Sequence, residues 1–242
     1  MKALTRKEYW DATYARDRVP VVALNDWRTY CDTQIYARLE PVLRASRAVI
    51  EIGAGDSSWL PRLAAMYPDA SFTGLDYSEA GCRRLSVRLE NFGVKASVRL
   101  ADMFDPPADM QNGFDLALSF GVVEHFSELD RALRAKASFV RPGGAIFTLI
   151  PNMAGIYGTL TRRWNRAVYD IHVPHDLDSF LAGHVEAGLS IVDSGYIGSS
   201  NFGIHASCFD RTAGMRYRLF VQMTRISKLA WWSESRGLPL PT

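Results

Sequence analysis

The sequence predicts an α/β fold: a doubly wound, mostly parallel sheet with N-terminal helices and a helical and loop insertion after the fifth strand. Three observations point there. Five short apolar runs, at 48–52, 71–75, 96–100, 114–119 and 145–150, alternate with helix-length stretches. The first run stops at a glycine turn, and the second and third stop at or just before aspartates. The alternation of strand and helix implies βαβ units, whose right-handed crossovers set the strands parallel and put ligands at their carboxyl ends.

The elements follow in order. Residues 1–47 read as helices, with Trp10 and Tyr14 one turn apart and Trp27, Tyr30, Ile35, Leu39 and Leu43 near helical spacing. Ala48–Ile52 is the first strand, ended by Gly53. Ser71–Leu75, Ala96–Leu100, Phe114–Ser119 and Ala145–Ile150 are the next four, the fifth entered through Arg141-Pro142-Gly143-Gly144. Ser57–Met66, Glu79–Phe92 and Leu129–Phe139 are the helices between them. Pro151 to about Asp176 is an inserted segment over the sheet, Phe180–Ala187 a helix and Ser190–Ile197 a sixth strand. Met215–Trp232 reads as an amphipathic helix with Leu219, Phe220, Met223, Ile226 and Ala230 on one face. Two prolines forbid a central strand in 237–242. The expected organisation is one domain over 1–242: a helical lid (1–47), a cofactor-binding core (48–150) and an acceptor-binding and C-terminal segment (151–242).

Composition narrows the function. The chain has 242 residues, of which 48% are hydrophobic and 22% charged, as expected of a globular protein. Its 28 basic and 26 acidic side chains leave a net charge of +2, which argues against a nucleic-acid partner held by bulk charge. Cys31, Cys82 and Cys208 are too few and too scattered for a disulfide framework or a zinc ribbon. No apolar run reaches transmembrane length, and the first residues lack the apolar core of a signal peptide, so a cytoplasmic location is the expectation. Nothing in the sequence sets the oligomeric state, and a homo-oligomer is left open.

Four short segments stand where the strands end. Glu51-Ile52-Gly53-Ala54-Gly55 lets a backbone approach a ligand closely, with Ser58 where a dinucleotide fingerprint would have its third glycine. Asp76 ends the second strand, where a carboxylate can accept both hydroxyls of a ribose. Ala101-Asp102-Met103-Phe104 follows the third strand, and Ser119-Phe120-Gly121-Val122-Val123-Glu124-His125 leaves the fourth. Each aspartate could also be a plain loop or cap carboxylate.

In order and spacing, residues 48–150 resemble the class I S-adenosylmethionine-dependent methyltransferases. Glu51–Gly55, Leu75–Ser78, Asp102-Met103, Phe114–Ala117 and Val140–Gly144 each resemble a motif of that family. The resemblance implies S-adenosyl-L-methionine as cofactor and S-adenosyl-L-homocysteine as product. It implies that Glu51, Gly53, Ala54 and Gly55 line the methionine part and the turn, and that Asp76 takes the ribose. Tyr77, Asp102 and Met103 would border the adenine, and Phe120 and Gly121 the sulfonium.

A hydroxyl acceptor needs its proton removed, and histidine suits that role near neutral pH. His125, His172 and His175 are the catalytic candidates. His125 reads either as base or as pocket lining. His172 and His175, with Asp170 and Asp176 beside them, read as acceptor site, as metal ligands or as a polar loop; no metal is assigned. His184 reads as structural, in a surface helix. His205, Asn152 and Tyr157 are further acceptor-side candidates, and Trp10 and Tyr14 suit a lid. The expected activity is O-methylation of a small polar acceptor: a sugar, a glycan precursor or a natural product. The alternatives are N-methylation of a small amine, an NAD-dependent oxidoreductase and a non-catalytic cofactor-binding partner protein.

Overall fold

A computed structural model describes residues 2–15, 30–198, 200–203, 208 and 214–237. It contains a five-stranded sheet in the order β3-β2-β1-β4-β5, with every neighbouring pair parallel. The strands are β1 (Ala48–Ile52), β2 (Ser71–Asp76), β3 (Ser97–Leu100), β4 (Phe114–Phe120) and β5 (Val140–Leu149). The expected parallel sheet is therefore present. The strand order reverses between β1 and β4, and that junction is where an open α/β sheet leaves a crevice at its carboxyl edge.

The side chains of the central strands alternate between two cores. Val49, Phe72, Leu116 and Leu118 face α2 (Tyr30–Ala45), α3 (Trp59–Met66) and α4 (Glu79–Phe92). Ile50, Ile52, Leu75 and Ala117 face the opposite way, against Met103, Met110 and the Leu129, Ala132 and Leu133 stripe of α5 (Leu129–Ala137). Period-two strands buried on both faces read as short continuous apolar runs, which is why the sequence displays them so plainly. Helix α4 is well closed: the Ser78 hydroxyl accepts from Gly81 N–H, and Gly93 ends it at φ +64°. On α5, Lys136 is fully buried and its Nζ donates to Ser119 Oγ and Phe147 O, tying the helix to β4 and β5. Burial lowers the Lys136 pKa well below its ordinary value.

Helix α1 (Lys7–Ala15) lies across the carboxyl edge, and α6 (Ile156–Trp164), α7 (Arg166–Tyr169) and α8 (Leu177–Glu186) form the insertion after β5. Two expectations need correction. Ser190–Ile197 forms no strand: its apolar residues Ile191 and Val192 are adjacent rather than alternate, and Val192 is 94% exposed. Instead Asp193 pairs with Arg38, and Cys31 Sγ lies against Ile197 O. Helix α9 (Gly214–Glu234) does form, but on a rotated face: Phe220, Ser227 and Ala230 are buried, while Leu219 and Ile226 stand in solvent. The Ser227 hydroxyl accepts from Phe202 N–H, and Trp231 Nε1 donates to Ser200 O, so hydrogen bonds select the buried face. Trp27, His205 and residues 238–242 lie outside the described residues. Among the described residues no helix is long and apolar enough to cross a membrane.

Candidate active site

At the junction of β1 and β4 the carboxyl edge opens into a cleft of about 520 Å³. Its floor begins with the turn after β1. Gly53 adopts φ +73°, and its N–H and that of Ala54 both donate to Leu75 O. A Cβ on Gly53 would stand 2.5 Å from Val122 Cγ2, so the turn admits no side chain there. Gly55 is equally tight, with Asp76, Gly81 and Tyr14 all within 2.8 Å of where a Cβ would be. Ala54 and Gly55 are buried beneath the cleft rather than in its lining; Glu51, Gly53, Asp76, Tyr77, Asp102, Met103, Phe120 and Gly121 line it.

Glu51 is buried and accepts from the Ser57 hydroxyl at 2.8 Å; loss of water pushes its carboxyl up to about 8. Asp76 is also buried, but both of its oxygens are used. Oδ2 accepts from Gly55 N–H and Oδ1 from Ser78 N–H, each at 2.8 Å. Burial still raises the Asp76 pKa, against those bonds. The loop reading of Asp76 is thus real, and it coexists with a place in the cleft, since each oxygen keeps a second lone pair. Asp102 is exposed and accepts from Phe104 N–H, while Met103 is buried between Phe104 and the sheet. Leu75, Met103, Phe104 and Phe126 make an apolar slot at this end.

At the other end Phe120 stacks on Trp59 with ring centroids 5.2 Å apart. His125 lines the cleft, with the Trp10 ring 5.3 Å away and the His172 ring at 4.7 Å. Nδ1 of His125 donates to Ile171 O, and Nδ1 of His172 to Val168 O. Burial lowers both pKa values, that of His125 to about 4. The carboxylates beside His172 and His175 in the sequence are occupied elsewhere: Asp170 pairs with Arg166, and Asp176 caps α8 through Ser179 N–H. Backbone carbonyls hold the rings instead. His172 lies behind His125, outside the lining, and His175 packs near Phe180, apart from both. His184 is buried rather than on the surface, its Nδ1 on Phe180 O. Asn152 closes a turn onto Gly155 N–H, and Tyr157 holds Ser200 and Asn201; neither lines the cleft.

Several lining residues carry no signal of their own in the sequence. Trp59 reads as a core helix residue and Phe126 as a loop aromatic. Glu124, fully buried beside the cleft, has Oε2 without a hydrogen-bond partner among the described residues, and burial raises its carboxyl to about 8. Asp56 is anchored by Arg84 and Arg88 from α4, at 2.6 and 2.7 Å. Trp10, Thr13 and Tyr14 of α1 close the outer side, and Asp11 accepts from the Ser78 hydroxyl at 2.5 Å, docking that helix on α4.

The donor set suits an adenosyl ligand: a carboxylate at the end of β2, an apolar slot at β3 and two glycines at φ +73° on the cleft wall. Comparison with known proteins agrees. Residues 49–144 match the methyltransferase domain family. A ubiquinone biosynthesis O-methyltransferase of Xanthomonas axonopodis pv. citri is 27% identical over 145 residues, 60% of this chain and 56% of that protein. The protein of the same name from Rhizobium leguminosarum bv. trifolii is 34% identical over 104 residues, 43% of this chain and 40% of that one. The chain thus spans about half the length of these curated relatives. A chain from the Haloferax volcanii complex of the Trm112 methyltransferase activator with a methyltransferase superposes with a TM-score of 0.59 at 15% identity, covering 94% of this chain and 93% of that one. This last likeness shows the fold. Residues 49–144 thus carry a methyltransferase domain, and the motifs and sheet order agree with the fold of a class I S-adenosylmethionine-dependent methyltransferase.

Proposed function

We propose that this chain transfers a methyl group from S-adenosylmethionine to a hydroxyl oxygen of a small polar acceptor, of the sugar, glycan-precursor or natural-product class. The observation that carries this reading is a single cleft with a partnered carboxylate, Asp76, at one end and a carbonyl-fixed imidazole, His125, at the other. When bound, the cofactor supplies an already activated methyl group, so the protein's task is positioning. Asp76 accepts the ribose hydroxyls, and Tyr77, Asp102 and Met103 border the adenine. Glu51 and Gly53 meet the methionine part, with Ala54 and Gly55 shaping the turn beneath. Phe120 and Gly121 flank the reacting centre, and His125, backed by His172, activates the acceptor hydroxyl. Trp10 and Tyr14 exclude water once α1 is seated. The names of the curated relatives favour oxygen over nitrogen as the attacked atom.

The test is calorimetry with S-adenosylhomocysteine and with NAD, followed by transfer of labelled methyl to nucleotide sugars, phenols and amines. Binding of the first ligand alone and labelling of a hydroxyl are expected. Labelling confined to amines would overturn the oxygen acceptor, and binding of NAD alone would overturn the cofactor.

A further inference from the structure

The acceptor end of the cleft holds a group of side chains whose arrangement a proton relay does not require. One donor atom each from Glu124, His125 and His172 lie within 4.8 Å of one another. They come from two segments, the turn after β4 and the residues after α7, which Val173 N–H joins by donating to Glu124 O at 2.7 Å. Both imidazoles donate Nδ1–H to backbone carbonyls, at 2.6 and 2.7 Å. A carbonyl can only accept, so each neutral ring keeps its lone pair on Nε2. Rings that ligate metals are held in this way, by a carbonyl on the other nitrogen.

Glu124 supplies the independent observation. It is fully buried, and Oε2 meets no N–H or O–H among the described residues. A buried carboxylate oxygen is costly unless it is paired or coordinates a cation. A Cβ on Gly121 would stand 3.4 Å from Glu124 Oε1, so the glycine leaves the carboxylate close to the cleft wall that it lines itself.

We infer that Glu124, His125 and His172 bind one divalent cation of the zinc or cobalt class, with an open coordination position toward the cleft. Two imidazole nitrogens and one carboxylate oxygen are the donor set of an open catalytic zinc site, and nitrogen donors disfavour magnesium and calcium. This deepens the hydroxyl-transfer reading and rests on it for the role of the ion. A hydroxyl that meets the cation becomes more acidic, and its proton leaves to water, so the oxygen becomes nucleophilic without a strongly basic histidine.

The experiment uses the whole chain, stripped with a chelator and titrated with Co²⁺ by visible absorption and with Zn²⁺ by equilibrium dialysis and elemental analysis. About one ion per chain with tetrahedral-type Co²⁺ bands is expected. Glu124→Gln and His172→Ala should each weaken Zn²⁺ binding by at least about 100-fold, more than loss of a supporting hydrogen bond costs. His175→Ala should leave it unchanged. Circular dichroism of each variant separates loss of the site from loss of the fold, and Glu124→Gln replaces the carboxylate ligand without removing volume. No stoichiometric binding by the parent chain, or binding that both ligand variants retain, would overturn the site. Binding with no methyl transfer to any hydroxyl would leave the site standing and overturn the acceptor reading instead.

Discussion

The two ends of the cleft contain equally buried carboxylates in opposite conditions. Asp76, at the β2 end, is 3% exposed, and both oxygens accept backbone N–H groups. Glu124, beyond β4, is 1% exposed, with one oxygen unpartnered among the described residues. Asp76 helps to fold the turn that it serves: its bonds reach the loop after β1 and the cap of α4. Oε2 of Glu124 makes no such bond among the described residues. Polar groups that stabilise nothing locally are expected where chemistry is done, because burial without partners is stable only when a ligand or ion repays it.

The largest effect expected from this contrast is at the acceptor end. His172→Ala should lower methyl transfer by about 10²–10⁴-fold with cofactor affinity unchanged, since the ring lies outside the lining. Single-turnover rates and calorimetry check it. Equal loss of affinity would erase the distinction between the ends.

Glu51 sharpens the contrast through pH. Burial holds its carboxyl at about 8, against an ordinary 4.5. The folded chain therefore binds that proton more tightly than the unfolded one. This contribution to stability is whole below pH 4.5 and is lost as the pH rises through about 8. Denaturant unfolding at several pH values should show the parent chain losing a few kcal/mol relative to Glu51→Gln over that window, with a slope of about 1.4 kcal/mol for each step of one in pH. Parallel curves for the two proteins would refute it.

Asp76→Asn tests the other side directly. An amide cannot accept from both Gly55 N–H and Ser78 N–H in the same way, and about 1–3 kcal/mol of stability should go with the orphaned donor. Affinity for S-adenosylhomocysteine should fall with it. A variant that keeps its melting temperature would show that Asp76 serves the ligand alone. The smallest effect expected is for Tyr157→Phe. Loss of its bonds to Ser200 and Asn201 should cost about 0.5–1.5 kcal/mol, with transfer unchanged. A drop in transfer would place Tyr157 and the start of α6 in the acceptor site as well.

How far the sequence can be read follows the same division. Ala48–Ile52 and Glu79–Phe92 end where the sequence places them, because a doubly buried strand and a capped helix each carry local signals. Asp76 and Gly53 are visible because a strand end and a glycine are punctuation in the chain itself. The segment 190–197 and the face of α9 mislead. Apolar content there does not say which side will find a partner: the Asp193–Arg38 pair holds the first segment, and the hydrogen bonds of Ser227 and Trp231 set the face of α9.

By itself the amino-acid sequence determined the order of strands and helices, the glycine turn and the two aspartates, since these depend on periodicity and on residues a few positions apart. Only the tertiary structure decided that Glu124 and His125 meet His172, 47 residues beyond His125, while His175 turns away. It also decided that carbonyls, rather than the neighbouring aspartates, orient those rings. Contacts between distant segments depend on how α7 and its following loop pack over the sheet, and no local pattern encodes that packing.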